Sequence, residues 1–148
     1  MSRPLLLPLA LLLVGCVSGP LKTDRLDSSL DVEKLTHLVL AQSGRCWDSD
    51  VTAMKKGIRL GVDRSQPDAI VLTAFLIEWA GPQPAKPFLT VRIVGDGATA
   101  RLEVSEQDFD CTPFRCVNLD LRSDLRRWLS ADTSCRDLDK ILYSMGIG

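Results

Sequence analysis

The 148-residue chain is poor in the side chains that most often carry catalysis and metal binding. It has one histidine, His37, and five cysteines, of which no two are spaced Cys-x-x-Cys. A zinc site usually takes several histidines or paired cysteines, and nucleophilic catalysis needs a base placed beside its nucleophile. No Gly-x-Ser-x-Gly motif occurs, and the acidic residues show no catalytic spacing. We therefore expect no enzyme, metal or cofactor, and we interpret His37, four residues after Glu33, as part of a solvated helix surface.

An excess of charge of either sign is also missing. The 18 Lys and Arg residues are balanced by 19 Asp and Glu residues, for a formal net charge of −1. A protein that binds nucleic acid or an acidic membrane surface usually carries a basic excess. The composition therefore gives no reason to expect a nucleic-acid partner. No internal repeat or low-complexity block divides the chain, and its length suits one domain.

No apolar run is long enough to cross a membrane. The longest extends from Leu5 to Val14, is interrupted by Pro8 and follows the positive charge of Arg3. A transmembrane helix needs about 20 apolar residues, whereas the apolar core of a secretory signal needs roughly 7 to 15. We therefore expect residues 1–15 to be a cleaved leader.

The end of this leader resembles a known cleavage and lipidation motif. Leu13-Val14-Gly15-Cys16 is similar to the lipobox of bacterial lipoprotein precursors. The resemblance implies that the leader is cut before Cys16 and that Cys16 is acylated, for example with palmitate, which anchors the protein in a lipid bilayer. Val17, in place of a retaining Asp, implies the periplasmic side of the outer membrane in a Gram-negative cell, or otherwise the outer face of the cell membrane. An ordinary leader with a chance cysteine is the alternative.

The region after Cys16 divides into a connecting segment and a single domain. Residues 17–28 mix small, charged and turn-forming residues without apolar periodicity. We therefore expect residues 16–28 to be a lipidated cysteine and tether, and residues 29–148 to form one periplasmic domain.

The other four cysteines form an even set in a chain that we expect to be exported. Because the periplasm oxidises thiols, they predict two disulfide bonds. Three pairings are possible. We favour Cys111 with Cys116, since a short loop closes at low entropic cost, and this leaves Cys46 with Cys135. A four-thiolate zinc site is the alternative.

Apolar periodicity predicts an α+β fold. Helical spacing indicates a first helix over about 30–43, and two further helices after residue 120. Alternation predicts four strands, around 58–62, 69–79, 89–93 and 100–104, with residues 105–118 as a loop. The loose dinucleotide-type pattern that begins at Gly95 precedes a strand, so we interpret it as a hairpin turn. The prediction is a four-stranded antiparallel meander packed against an N-terminal helix and two C-terminal helices.

Two surface features could bind a partner. The first is the segment 80–87, stiffened by three prolines, with aromatic residues at its base. The second is the basic cluster Arg122, Arg126 and Arg127, for which a neutralised solvent face is the favoured interpretation because aspartates are interleaved. A plain connector is the alternative for the first. The candidate partner-binding residues there are Trp79, Pro82, Gln83, Pro84, Lys86, Pro87 and Phe88.

These observations favour a non-catalytic binding or assembly module, a lipoprotein that docks another envelope protein. The alternative is an inhibitor or immunity-type lipoprotein that neutralises an enzyme attacking the cell wall. A small envelope hydrolase is a third possibility, which a cleft holding two carboxylates would favour. An uncovered apolar sheet face would itself indicate an interface.

Overall fold

The computed structural model describes residues 19–47, 49–51, 56–78, 86–95, 98–112, 115–138 and 140–141. These residues adopt an α+β fold, with antiparallel strands and two helices. The elements in chain order are β1 (Leu21–Ser28), α1 (Val32–Cys46), β2 (Ser49–Val51), β3 (Lys56–Asp63), β4 (Ala69–Glu78), β5 (Lys86–Gly95), β6 (Ala100–Gln107), β7 (Phe109–Thr112), β8 (Arg115–Val117) and α2 (Leu121–Leu129).

The main sheet contains five long strands and one short edge strand. Its order is β1-β6-β5-β4-β3-β2, and every neighbouring pair is antiparallel. The predicted meander is therefore present as β3 to β6. It is extended at one edge by β1 and at the other by β2, neither of which was predicted.

The prediction of a tether is wrong for residues 21–28. They form β1, which pairs along its whole length with β6, from Leu21 opposite Gln107 to Ser28 opposite Ala100. Exposed and half-buried residues alternate along β1, as in an edge strand with one face toward the core. The folded domain therefore begins before residue 29.

The pairing register defines two ends of the sheet. We call one the Leu21 end, where β1 starts and where β4 stops at Glu78 and β5 starts at Lys86. The opposite end, the Ser28 end, contains the close of β5 at Gly95 and the start of β4 at Ala69.

Helix α1 crosses the core face of the sheet. Asp31 is its N-cap, because its carboxylate accepts the backbone N–H of Lys34 at 2.8 Å. Its buried side chains include Leu35 and Val39, and it packs mainly on β5 and β6. At the Ser28 end a Cβ on Gly95 would lie 2.5 Å from Cγ2 of Val32, so only glycine allows this approach.

Helix α2 lies beside α1 and contacts β1 and β6. Leu121, Leu125 and Trp128 are buried, as the apolar spacing predicted. Two backbone hydrogen bonds close the C-terminus of the helix. Asp132 N–H donates to the carbonyl of Arg127, and Ala131 N–H donates to the carbonyl of Trp128. Ala131 occupies the left-handed region there, with φ of 70°.

The region predicted as a loop contains more structure than expected. Strand β6 continues to Gln107, and β7 and β8 then form a small two-stranded sheet. Of the predicted third helix, the described part begins at Asp137, whose carboxylate accepts the N–H of Lys140 at 2.9 Å. Asp137 therefore caps this described part, while the hydroxyl of the preceding Ser134 donates to Asp132. The later part of that helix lies outside the described residues.

The sheet face opposite the helices, which we call the open face, is not a continuous apolar surface. On β4 the residues of this face, among them Val71, Thr73 and Phe75, are half-buried. The ring of Phe75 lies over Gly61, where an added Cβ would be 3.0 Å from Cε2. The neighbouring strands contribute Arg92, Thr90, Arg101, Glu103 and Ser105. The open face is therefore mainly polar.

Candidate functional site

A buried aspartate joins three parts of the chain. Asp124 is 2 % exposed and accepts the indole N–H of Trp47 at 3.0 Å. Arg127 binds it from the next turn of α2, and Arg136 binds both of its oxygens, at 2.6 and 2.8 Å. Burial alone would raise the pKa of Asp124, but the hydrogen bonds from Arg136, Arg127 and Trp47 outweigh it and hold that pKa below its usual value. This charged cluster supports the structure, and both carboxylate oxygens of Asp124 already have partners.

A disulfide bond closes the same region. Cys46 is bonded to Cys135, as predicted. Cys46 immediately precedes Trp47, and Cys135 immediately precedes Arg136. The disulfide and the carboxylate of Asp124 therefore tie the end of α1 to residues 135–136 at two adjacent points. Cys116 is also disulfide-bonded. The side chain of Cys111 lies outside the described residues, so its pairing with Cys116 stays a prediction.

A second buried carboxylate, Glu106 of β6, takes the place of a capping side chain for α2. The N-cap residue Asp120 makes no side-chain capping bond, and Glu106 instead accepts the backbone N–H groups of Leu121 and Arg122, at 3.0 and 3.4 Å. Burial raises the pKa of Glu106, and these bonds together with the Arg122 guanidinium only partly oppose the rise.

The basic cluster on α2 is neutralised, as we favoured, although mostly by residues distant in sequence. Arg122 pairs with Glu106 and with Asp24 of β1, and Arg126 pairs with Asp24 at 2.6 Å. Arg127 is bound to Asp124. The cluster therefore holds α2 to the sheet, and its charges are already matched by carboxylates.

A polar cleft opens at the Ser28 end of the open face. Its volume is about 640 Å³, and Asp27, Asp68 and Glu103 place three carboxylates along it, with Arg92 and Arg101. Arg101 contacts Glu103 at 3.2 Å and Arg92 contacts it at 4.0 Å, so one of the carboxylates is already paired. This is a cleft of the kind that the hydrolase hypothesis requires.

A second concave surface, which we call the α1 groove, lies on the other face of the sheet at the same end. Its volume is about 770 Å³, and its lining is largely apolar. Thr36 in its wall is 5 % exposed, and its hydroxyl has no hydrogen-bond partner within the described chain. His37 and Glu33 lie exposed at the rim, as expected for a helix surface. The lining residues are Val32, Glu33, Thr36, His37, Leu40, Ala41, Arg64 and Ile70.

The predicted partner-binding segment is described only at its far end. Trp79, Pro82, Gln83 and Pro84 lie outside the described residues, and of Lys86 only the backbone, in β5, is described. Pro87 is exposed and pairs with Phe75. The candidate Phe88 does not belong to an exposed surface.

Phe88 is a core residue, because β5 has a bulge at this position. The pairing passes from Ala74 with Leu89 to Phe75 with Pro87 and omits Phe88. An extra residue of this kind lets two successive side chains face the same side of a sheet. Phe88 and Leu89 are consequently both buried, and the ring of Phe88 packs on that of Phe109 with 5.1 Å between centroids.

The region around residue 16 cannot be compared with the lipobox expectation, because residues 1–18 lie outside the described residues. Within the described part of the chain, no helix is long and apolar enough to span a membrane. The described residues also contain no group of three or more His, Cys, Asp or Glu side chains that could hold a metal ion.

Comparison with known proteins found no matching family model, no similar curated protein and no similar solved structure.

Proposed function

We propose that this protein is a lipid-anchored envelope lipoprotein that acts as a non-catalytic binding or assembly module. The lipobox-like sequence ending at Cys16 supports the anchor. That sequence is the observation that carries the proposal, and β1 begins at Leu21, only five residues after Cys16. Five residues span at most about 18 Å, so acylation at Cys16 would hold the Leu21 end of the domain against the bilayer.

This geometry determines which surfaces a partner could reach. Strand β1 has eight residues, so the Ser28 end would stand roughly 25 Å farther from the membrane. Both concave surfaces, the polar cleft and the α1 groove, lie at that end. Strand β4 ends at Glu78 and β5 begins at Lys86 at the Leu21 end, which would lie close to the bilayer. We therefore place the docking surface for an envelope protein at the Ser28 end.

The anchor is tested by replacing Cys16 with Ser in the full chain. Wild-type protein should incorporate labelled palmitate and fractionate with membranes, whereas Cys16→Ser should give an uncut, unacylated precursor. The double variant Cys46→Ser/Cys135→Ser is the control, because it removes two cysteines that are bonded to each other within the domain, and it should keep the label. A normal-sized soluble product from Cys16→Ser would show that the leader is an ordinary signal peptide.

The docking surface is tested by capture from detergent-solubilised envelopes with the tagged protein. The double variant Asp68→Lys/Arg64→Glu changes the Ser28 end and should lower recovery of a specific partner. Replacement of residues 82–85 by Gly-Ser changes the Leu21 end and should leave recovery intact. If only the second change abolishes capture, the proline segment is the docking surface and our placement is wrong.

The polar cleft supports a second candidate function, a small envelope hydrolase. Asp27 and Asp68 line it together with Glu103, and two carboxylates on one cleft are the minimum for acid and base catalysis of glycoside hydrolysis. Purified protein should then release soluble fragments from cell-wall glycan, and Asp27→Asn or Asp68→Asn should abolish the release. Absence of any release by the wild-type protein would remove this candidate.

A further inference from the structure

The chain is fixed to the sheet before β1 begins. Gly19 is buried, and its carbonyl accepts the side-chain N–H of Gln107 at 3.2 Å. Only three peptide units separate Cys16 from this fixed point, and they span at most about 11 Å. The polar layer of one leaflet of a bilayer is about 5 to 8 Å thick. A domain anchored through Cys16 is therefore held so close to the bilayer that its Leu21 end reaches the lipid.

The Leu21 end of the open face carries exposed apolar side chains. Leu21, which alternates with the core-facing Lys22, is 61 % exposed, and the adjacent Pro20 is exposed as well. Pro87 of β5 is exposed too, and it pairs with the half-buried Phe75 of β4. We call Pro20, Leu21, Phe75 and Pro87 the apolar rim. Apolar side chains gathered at one edge of a domain favour contact with an apolar environment.

The polarity of the open face rises with distance from the apolar rim. Register pairs place side chains with hydroxyl groups in the next row across the strands, and mainly charged side chains in the row after it. The hydroxyl row is Thr23, Ser105, Thr90 and Thr73, followed by Gly61. The charged row is Arg25, Glu103, Arg92 and Asp63, with Val71 between the last two. Rows lie about 7 Å apart, since two residues of a strand span that distance. The same order, from apolar to charged, leads from the hydrocarbon of a bilayer to water.

A cation completes the row of the apolar rim. Arg59 of β3 is exposed, pairs with Phe75 in the sheet register and makes no ion pair with a described residue. A guanidinium binds phosphate through paired N–H donors. Arg59 is therefore placed to pair with the phosphate of a phospholipid when the apolar rim meets the lipid.

We propose that the apolar rim, together with Arg59, is a second membrane contact, and that its partner is the phospholipid surface in which the acyl anchor lies. The inference rests on the proposed acylation of Cys16, because the short link to Gly19 is what brings the rim to the bilayer. Acyl chains alone leave a domain free to rotate about its link. The apolar rim fixes one orientation, with the open face inclined toward the lipid and the Ser28 end farthest from it.

The test uses the full, processed chain in phosphatidylcholine vesicles that include a phosphatidylcholine with a photoreactive diazirine close to its ester group. Palmitate incorporation and flotation with the vesicles show separately that the chain is anchored. After irradiation, peptide mass spectrometry should find the label at Pro20, Leu21 and Pro87. Val62 is the internal comparison, because it is the other large apolar side chain that is exposed in the described chain, and it lies at the Ser28 end. It should carry no label.

Leu21→Asp should lower labelling at Pro87 about fivefold, because an apolar side chain whose burial favours the contact is replaced by a charged one. Arg59→Glu should lower it by a smaller factor. Val62→Asp is the matched control and should label like the wild type. Leu21 is exposed on an edge strand, so we expect Leu21→Asp to fold, and its urea midpoint checks this.

Unchanged labelling of Pro87 in Leu21→Asp, or equal labelling of Val62 and Leu21 in the wild type, would overturn the proposed contact. Protein that carries palmitate and floats with the vesicles, but has no label on the apolar rim, would overturn this inference and leave the anchor intact. Protein without palmitate would overturn both.

Discussion

The indole N–H of Trp47, at the end of α1, donates to the carboxylate of Asp124 in α2 across 3.0 Å. The ring of Trp47 also packs on the ring of Trp128 in α2, with 4.8 Å between the ring centroids. The two helices are therefore joined by a buried hydrogen bond and by the contact between two tryptophan rings. The stability of the domain should therefore be sensitive to changes at this junction.

Replacing Asp124 with Asn should lower the free energy of unfolding at pH 7 by about 3 kcal/mol, because Arg127 and Arg136 lose their buried counter-charge. The folded pKa of Asp124 is lowered, so its contribution is fully present above the ordinary aspartate pKa of about 4. It is lost as the pH falls below that value through the folded pKa. Urea denaturation at several pH values should thus show the difference between wild type and variant shrinking below about pH 4. Asp132→Asn, at an exposed partner of Arg127, should change little, and an equal loss there would contradict the special role of Asp124.

Removing the Cys46–Cys135 disulfide with the double variant Cys46→Ser/Cys135→Ser should destabilise the domain by about 4 kcal/mol. The bridge spans 89 residues, and in the chain-entropy model a loop of this length strongly restricts the unfolded state. Thermal and urea unfolding with and without reductant measure the effect. If the predicted Cys111–Cys116 bond forms, its removal should cost only about 2 kcal/mol, because its loop is short. Equal losses from the two variants would contradict the entropic explanation.

Ala131→Gly should stabilise the protein by about 1 kcal/mol. Ala131 has φ of 70° at the end of α2, where a Cβ is unfavourable and glycine is the preferred residue. Ala41→Gly is the matched control, since Ala41 is an exposed alanine inside α1, and it should destabilise by about the same amount. Denaturation midpoints that move in the same direction for both variants would refute the backbone argument.

Thr36→Val should raise the stability of the protein by about 1 kcal/mol. The hydroxyl of Thr36 is buried without a described partner, and a buried polar group left unpaired is costly, whereas valine has nearly the same shape. Thr23→Val, at an exposed position of β1, should change stability by less than about 0.5 kcal/mol. Destabilisation by Thr36→Val would mean that the hydroxyl supports the fold, and would contradict this prediction.

Alternation predicted β3 to β6 because their core-facing residues are apolar at every second position, as Leu89, Val91 and Ile93 are in β5. It could not predict β1, whose core-facing positions include Lys22 and Asp24. These charges are acceptable there because Asp108 and Arg122 pair with them, 86 and 98 residues away. Partners so distant leave no local pattern in the sequence.

The surfaces were harder to predict than the strands. Helical spacing identified the buried Leu121, Leu125 and Trp128 of α2, but the same spacing gives no reason to bury Asp124. The bulge in β5 directs the side chain of Phe88 toward the core. Its only sequence signal is that two adjacent residues, Phe88 and Leu89, are apolar. The α1 groove depends on where α1 rests on the sheet, which is a property of the packed structure.

The pairing of β1 with β6 also affects the order in which the domain can form. A chain emerges amino terminus first, yet every pairing partner of β1 in the main sheet lies within residues 100–107. Strand β1 therefore has no pairing partner in this sheet until residues 100–107 have been synthesised. Contacts of such long sequence separation close late and slow the folding of a chain. Strands β3 to β6 each pair with the next strand along the chain, so the meander can form before the edge strand β1 joins it.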